Sequence, residues 1–171
     1  MLMIVIGNLF SLLAMLADGI GASRKTVRGV LAMQTLGQGL FAVSAIALKG
    51  YSAAAQNLVS IVRLLFTLSE KRRQWLEAAL IVLGVALGLY FNNLAWVGLL
   101  PVIGNLEYAV VTLLCGKNER LLKFSFLIKC VLFSVFNIHI YNVVGVVSNI
   151  VVIVTTGMFL IRDGKKQNEA A

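Results

Sequence analysis

Long apolar stretches, separated by short polar or charged segments, run along the whole chain. A helix that crosses a bilayer needs about 20 mostly apolar residues, and seven stretches approach or reach that length. Lipid offers backbone groups no hydrogen-bonding partner, so each stretch is predicted to be a helix that satisfies its own backbone. The predicted spans cover about residues 2–17 (extending towards 20), 29–48, 52–68, 75–91, 95–115, 121–138 and 140–161.

The basic residues follow the same pattern of segments. Twelve of the 15 lysines and arginines fall after spans one, three, five and seven, which lie on one side of a seven-span protein. The opposite loops hold only Lys49. Cytoplasmic loops carry an excess of basic residues, so the N-terminus is predicted outside and the C-terminus in the cytoplasm. The twelve residues are Arg24, Lys25, Arg28, Lys71, Arg72, Arg73, Lys117, Arg120, Lys123, Arg162, Lys165 and Lys166.

Composition supports a membrane protein. Hydrophobic residues make up 60% of the chain and charged residues 13%, with a mean hydropathy of +0.93, whereas soluble domains are about 25% charged. These values exclude a soluble globular enzyme, a disordered tail and a secreted disulfide scaffold. We interpret the net charge of +8 as a topology signal, with anionic lipid headgroups rather than nucleic acid as partners. Cys115 and Cys130 lack metal-ligand spacing and are interpreted as packing thiols, so no metal and no cofactor is predicted.

An internal repeat relates the first three spans to the last three. Ile6-Gly7-Asn8-Leu9 in span one recurs as Ile103-Gly104-Asn105-Leu106 in span five. Further matches lie 92 residues apart: Arg28 with Arg120, and Asn57 with Asn149.

The repeat predicts an architecture. A unit of three spans crosses the membrane an odd number of times, so one extra span is needed for a second copy to face the same way. The predicted fold class is therefore all-α, a polytopic membrane protein with seven transmembrane helices in a 3+1+3 parallel-repeat arrangement. Residues 1–73 form the first repeat, 74–93 the linker helix, and 94–171 the second repeat with a short basic cytoplasmic tail. In transporters built from parallel repeats, the substrate site lies near the midplane between the repeats.

Three charged residues lie inside predicted spans, where each costs about 2.5–3.5 kcal/mol or more. Glu107 and Lys129 lie at similar depths on adjacent spans and are expected to form an ion pair. That pair is either part of a solute or proton site or a structural link between spans five and six. Arg63 lies about six residues from the cytoplasmic end of span three, within reach of snorkelling to lipid phosphate. Its alternative is a role in the site.

Four asparagines complete the set of candidate substrate-binding residues. Asn8, Asn57, Asn105 and Asn149 occupy matching positions in the two repeats. A carboxamide both donates and accepts hydrogen bonds, so it suits hydroxyls, amides and zwitterions. The alternative is hydrogen bonding between helices, which contributes about 0.6 kcal/mol on average. The chain carries no phosphate loop, HExxH or GxSxG motif, so no catalytic residue is predicted and the protein is not expected to be an enzyme.

Some of these residues resemble those of a known family. Leu99-Leu100-Pro101-Val102-Ile103-Gly104, together with Tyr51, Arg63, Leu65 and Thr67-Leu68, resembles the bacterial inner-membrane YgjV family. That resemblance implies an inner-membrane location more than an activity. More distantly, the 3+1+3 plan is similar to SWEET sugar facilitators, PQ-loop proteins, PnuC vitamin transporters and KDEL receptors. In SWEET proteins an asparagine on each third helix lines the central cavity, which implies that role for Asn57 and Asn149. Those transporters also carry a proline in the first helix of each unit, whereas this chain has only Pro101.

Two functions follow as hypotheses. The first is a transporter or facilitator of a small polar solute, bound at the midplane between the repeats. The second is a non-transporting receptor, scaffold or assembly partner on the same fold. The sequence leaves the solute, any coupling ion and a homo-oligomeric state open.

Overall fold

The computed structural model describes residues 1–68, 74–115 and 118–169. Over these residues it contains seven helices and no strand, which confirms the predicted all-α class. The basic residues Lys71 to Arg73 and Lys117 lie outside the described residues. The helices are α1 (Leu2–Ala22), α2 (Val27–Ala47), α3 (Tyr51–Leu68), α4 (Gln74–Tyr90), α5 (Leu99–Cys115), α6 (Glu119–His139) and α7 (Val143–Glu169).

Helix α5 begins four residues later than predicted, and the cause is local hydrogen bonding. The Asn92 side chain accepts from the Leu94 N–H (3.1 Å) and donates to the Ala95 carbonyl (2.8 Å). Ala95 has φ 49°, in the left-handed region. Asparagine side chains commonly bind backbone groups two residues on and so favour turns over helix. Hydropathy alone extended the span through these residues because they are apolar.

The surface has the character expected of a protein surrounded by lipid. Three helices have segments long and apolar enough to cross a membrane: Leu2–Gly21, Arg28–Ala47 and Arg120–His139. Helices α4 and α5, and the Val143–Met158 part of α7, are apolar but shorter. Every helix also exposes large apolar side chains, an arrangement that water would penalise. Examples, one from each helix in order, are Leu9, Leu36, Leu58, Val82, Leu114, Phe124 and Val151.

The interior is built mainly from small residues. Buried alanines and serines dominate the contacts between α1, α2 and α3, and small residues let membrane helices approach closely. Between α1 and α2, the Ser11 and Ser44 hydroxyls form a buried hydrogen bond of 2.8 Å. The helix interfaces therefore depend on close packing and on a few internal polar contacts.

The helices form a ring with one helix outside it. Each helix packs against its neighbours in sequence, and α1 also contacts α7, while α3 also contacts α5. These contacts therefore form a closed ring of six helices, α1, α2, α3, α5, α6 and α7. Helix α4 contacts only α3 and α5 among the described helices. This ring creates the space in which a central site can lie.

Helices α2 and α6 match closely in length and in how they begin. Both have 21 residues, and each starts 92 positions from the other. Each begins with a side chain that caps the first turn. Thr26 accepts from the Gly29 N–H at 3.2 Å, and Asn118 accepts from the Leu121 N–H at 3.1 Å. Such caps satisfy backbone donors that have no partner within the helix.

The two helices also end alike. Lys49 and Tyr141, 92 residues apart, both have φ 59°. The following N–H closes each turn: Gly50 donates to the Ala45 carbonyl (2.7 Å), and Asn142 donates to the Asn137 carbonyl (2.9 Å). A sequence duplication predicts such agreement, and the 3+1+3 arrangement itself stays a prediction.

Candidate functional site

The main candidate site is a cavity of about 150 Å³ inside the ring. Its lining residues come from α1, α2, α3, α6, α7 and the turn between α6 and α7. It brings together three of the seven candidate residues from the sequence, Asn57, Asn149 and Lys129. We call it the central cavity.

The central cavity is lined by equivalent positions of the two repeats. Many of its lining residues occur in pairs 92 residues apart. The pairs are Gln38 with Cys130, Phe41 with Phe133, Ala45 with Asn137, Ala53 with Gly145, and Asn57 with Asn149.

Asn57 and Asn149 lie at equal depth. Each is six residues after the first residue of its helix, or about 9 Å along the axis at 1.5 Å per residue. Asn57 is 8% exposed, and the Asn149 Nδ2 atom is buried without a hydrogen-bond partner. Within the described part of the chain, neither side chain forms the hydrogen bond between helices that was the alternative interpretation. Both carboxamides are therefore free to contact a guest molecule.

Lys129 faces aromatic rings, so the predicted ion pair with Glu107 is wrong. The Lys129 ammonium lies 5.2 Å from the ring centre of Tyr108 and 5.5 Å from that of Phe133. The Glu107 carboxylate instead accepts a hydrogen bond of 2.8 Å from Ser125. Consecutive residues on a helix point about 100° apart, and it is Tyr108, not Glu107, that faces Lys129. The ion pair was predicted from the similar depth of Glu107 and Lys129 on adjacent helices, but depth does not determine which way each side chain points around its helix.

Asp18 is a cavity residue that the sequence analysis missed. Span one was predicted to end at residue 17 or shortly after, which placed Asp18 at its edge. Helix α1 instead continues to Ala22, so Asp18 lies inside the bundle and lines the central cavity. Its Oδ1 atom is buried against Gly37 of α2 and has no hydrogen-bond partner.

The repeat contains a signal that could have found this residue. Gly37 lies 92 positions before Lys129, so the two occupy equivalent places on α2 and α6. The second repeat carries Lys129 at this place on α6. The first repeat carries Gly37 on α2, and the Asp18 carboxylate lies against it. Asp18 and Lys129, which carry opposite formal charges, both line the central cavity.

Asn105 and Arg63 lie elsewhere, at a second cavity of about 20 Å³ between α3, α4 and α5. Asn105 donates to the Gln56 side chain (3.2 Å), and Gln56 donates to the Gly84 carbonyl (2.7 Å). These bonds join the three helices, which fits the structural alternative for Asn105. This volume is enough for about one water molecule, so we assign this cavity no solute.

Asn8 connects α1 to the beginning of α7. Its side chain donates to the Tyr141 carbonyl (2.9 Å) and accepts from the Val144 N–H (3.0 Å). A related bond lies at the equivalent turn, where Asn93 donates to the Lys49 carbonyl (2.8 Å). We call these two contacts the outer ties, because they join the two halves at the end of the bundle predicted to lie outside.

One comparison with known proteins finds a match for this chain. The model of a family described as bacterial inner membrane protein, Imp-YgjV, matches residues 5–167. No curated protein and no solved structure matches the chain.

Proposed function

The chain belongs to the Imp-YgjV family of bacterial inner membrane proteins, and from that premise we propose that it carries a small polar solute across the inner membrane. In this proposal two like-facing three-helix units, α1–α3 and α5–α7, enclose the solute, and α4 joins them. The observation that carries the proposal is the central cavity, to which each unit contributes the same asparagine at the same depth.

The location of polar groups supports this function. Burying a polar group without a partner costs about 1–3 kcal/mol in proteins, yet the Asn149 amide nitrogen and an Asp18 oxygen are both buried without one. Folding alone gives no reason to keep such groups in the cavity. A polar solute that hydrogen-bonds with them would offset the cost.

The outer ties suggest how access would alternate. They join α1 to the α6–α7 turn, and the α4–α5 connection to the α2–α3 turn. Opening the cavity outwards by rocking one unit against the other would break both contacts. In this proposal the described conformation is therefore closed on the outer side, and the outer ties form part of the gate.

Solute flux tests the proposal. The purified chain, reconstituted in liposomes, is expected to accelerate uptake of at least one solute from a panel of small amino acids, carboxylates, amines and polyols. Asn57→Ala and Asn149→Ala are each expected to reduce that uptake at least about tenfold, the effect of losing roughly 1.4 kcal/mol of contact.

A matched variant separates site effects from general damage. Ser134→Ala removes a hydroxyl whose only hydrogen bond among the described residues is to the Cys130 carbonyl of its own helix, and it should leave uptake unchanged. Absence of flux for the whole panel, with folded protein, would refute transport. Flux that is insensitive to both asparagine variants would place the pathway elsewhere.

The second candidate is a non-transporting receptor on the same fold. The outer ties favour it, because they hold the two halves together beside the cavity. A receptor predicts saturable binding of a solute that depends on Asn57 and Asn149, with no flux.

A further inference from the structure

We infer that the solute is a small zwitterion of the α-amino acid type, with its ammonium bound by Asp18 and its carboxylate bound by Lys129 and Asn149. This inference rests on the proposed function, because it specifies the solute of the same cavity.

The central cavity carries one acidic and one basic side chain. Asp18 and Lys129 both line the central cavity, and among the described residues no direct ion pair joins them. Lys129 lies over the rings of Tyr108 and Phe133, which satisfy a cation only through their π faces. A carboxylate and an ammonium thus stand at one cavity without neutralising each other directly. Charges inside a membrane are costly and generally mark functional sites.

The polar groups of the cavity match a solute that carries both an ammonium and a carboxylate. Asp18 contributes a buried acceptor without a partner, and Asn149 contributes a buried donor without one. A simple cation would satisfy only Asp18, and a simple anion would satisfy only Lys129 and Asn149. A neutral polyol would leave both charges without a counter-charge. A molecule with one ammonium and one carboxylate satisfies all three groups at once.

The volume of the central cavity limits the size of the solute. A cavity of about 150 Å³ is comparable to one that holds benzene. Glycine or alanine is of that size, whereas a hexose has about twice the atoms of benzene. Phe41 and Phe133, an equivalent pair in the lining, offer apolar surface to a short aliphatic side chain.

The experiment compares matched ligands on the wild-type chain in lipid nanodiscs. L-alanine is the zwitterion, propionate lacks the ammonium, ethylamine lacks the carboxylate, and glycerol is neutral. We expect alanine to raise the unfolding temperature and to bind saturably, with the other three at least about 30-fold weaker. Removing one partner of a buried charge pair costs about 2 kcal/mol or more, which corresponds to that factor.

Variants assign the two charges. Asp18→Asn and Lys129→Met are each expected to weaken alanine binding about 30-fold or more. The control Glu107→Gln alters a carboxylate bonded to Ser125, outside the cavity lining, and should bind alanine like wild type. Should either charge variant fail to fold, the ligand comparison on wild type still decides the inference.

The outcomes are separable. Preferential binding or flux of propionate, ethylamine or glycerol over alanine would overturn the zwitterion and leave transport standing. Alanine binding unchanged in both charge variants would overturn the assigned contacts. No flux of any small solute would overturn the proposed function itself.

Discussion

Gly37 illustrates how one missing side chain can make room for a functional group. A Cβ atom built at this position would collide with the Asp18 carboxylate and lie 3.5 Å from the Ala14 carbonyl. The residue is buried on α2 against α1, where the carboxylate turns towards the central cavity. Glycine here is explained by the neighbouring acid and not by backbone conformation.

A glycine substitution tests this contact. Gly37→Ala should push the Asp18 carboxylate out of place and reduce solute binding about tenfold or more, measured by a binding isotherm. Gly39→Ala on the same helix is the control, because its nearest neighbour would be 3.9 Å away. Alanine stabilises helices by about 0.5–1 kcal/mol relative to glycine, so Gly39→Ala should be equally or more stable with unchanged binding. Equal binding by both variants would contradict the role of Asp18.

The duplication predicts equivalent positions for the candidate asparagines, and their role in binding a solute stays a prediction. The matching positions of Asn57 and Asn149 brought both into one cavity. Asn8 and Asn105 also occupy matching positions, but their side chains form hydrogen bonds that join helices. The difference is orientation around the helix axis, which depends on packing partners that a single apolar sequence does not reveal.

Helix α4 behaves as a structural connector. Its buried residues Gly84 and Gly88 face α3 and α5. Gly84 also accepts the Gln56 hydrogen bond through its carbonyl. No α4 residue lines the central cavity among the described residues, and its role as a linker between two repeats stays a prediction.

Close packing at Gly88 predicts a stability effect without a functional one. A Cβ there would lie 2.6 Å from Val102 Cγ2, so Gly88→Ala should overpack the contact and lower the free energy of unfolding by about 1–3 kcal/mol. Gly157→Ala, which would have no neighbour within 4 Å, is the control. Denaturation in detergent measures the difference, and solute selectivity should not change. A Gly88 variant as stable as the control would show that α4 packs loosely.

The helix boundaries were predictable to within a few residues, except where side chains form turns and at the end of α7, which continues to Glu169 although span seven was predicted to end at residue 161. Thr26 and Asn118 cap α2 and α6 close to the predicted starts. The turn built on Asn92 was missed, and α1 continues to Ala22, beyond the furthest predicted end at residue 20. Hydropathy reports where lipid is favourable and carries no information about such local bonds.

Two patterns in the sequence, hydropathy and the internal duplication, together predict the architecture of the whole molecule. Hydropathy predicts a helical membrane protein, which the helices support, and the family match adds the inner-membrane location. The duplication predicts a cavity shared by the two halves, and the lining pairs 92 residues apart agree with it. The basic residues further predict an N-terminus outside and a C-terminus in the cytoplasm.

Cross-linking across the central cavity tests whether both halves of the chain enclose it. In a Cys115→Ser, Cys130→Ser background, the Asn57→Cys, Asn149→Cys pair should be joined by a short bifunctional thiol reagent in native membranes, with mass spectrometry of tryptic peptides as the measurement. The control pair Leu58→Cys, Ile150→Cys changes the adjacent residues, which are 53% and 51% exposed on the outer surface, and should not cross-link. A joined control pair, or an unjoined cavity pair in folded protein, would contradict a cavity enclosed by both halves.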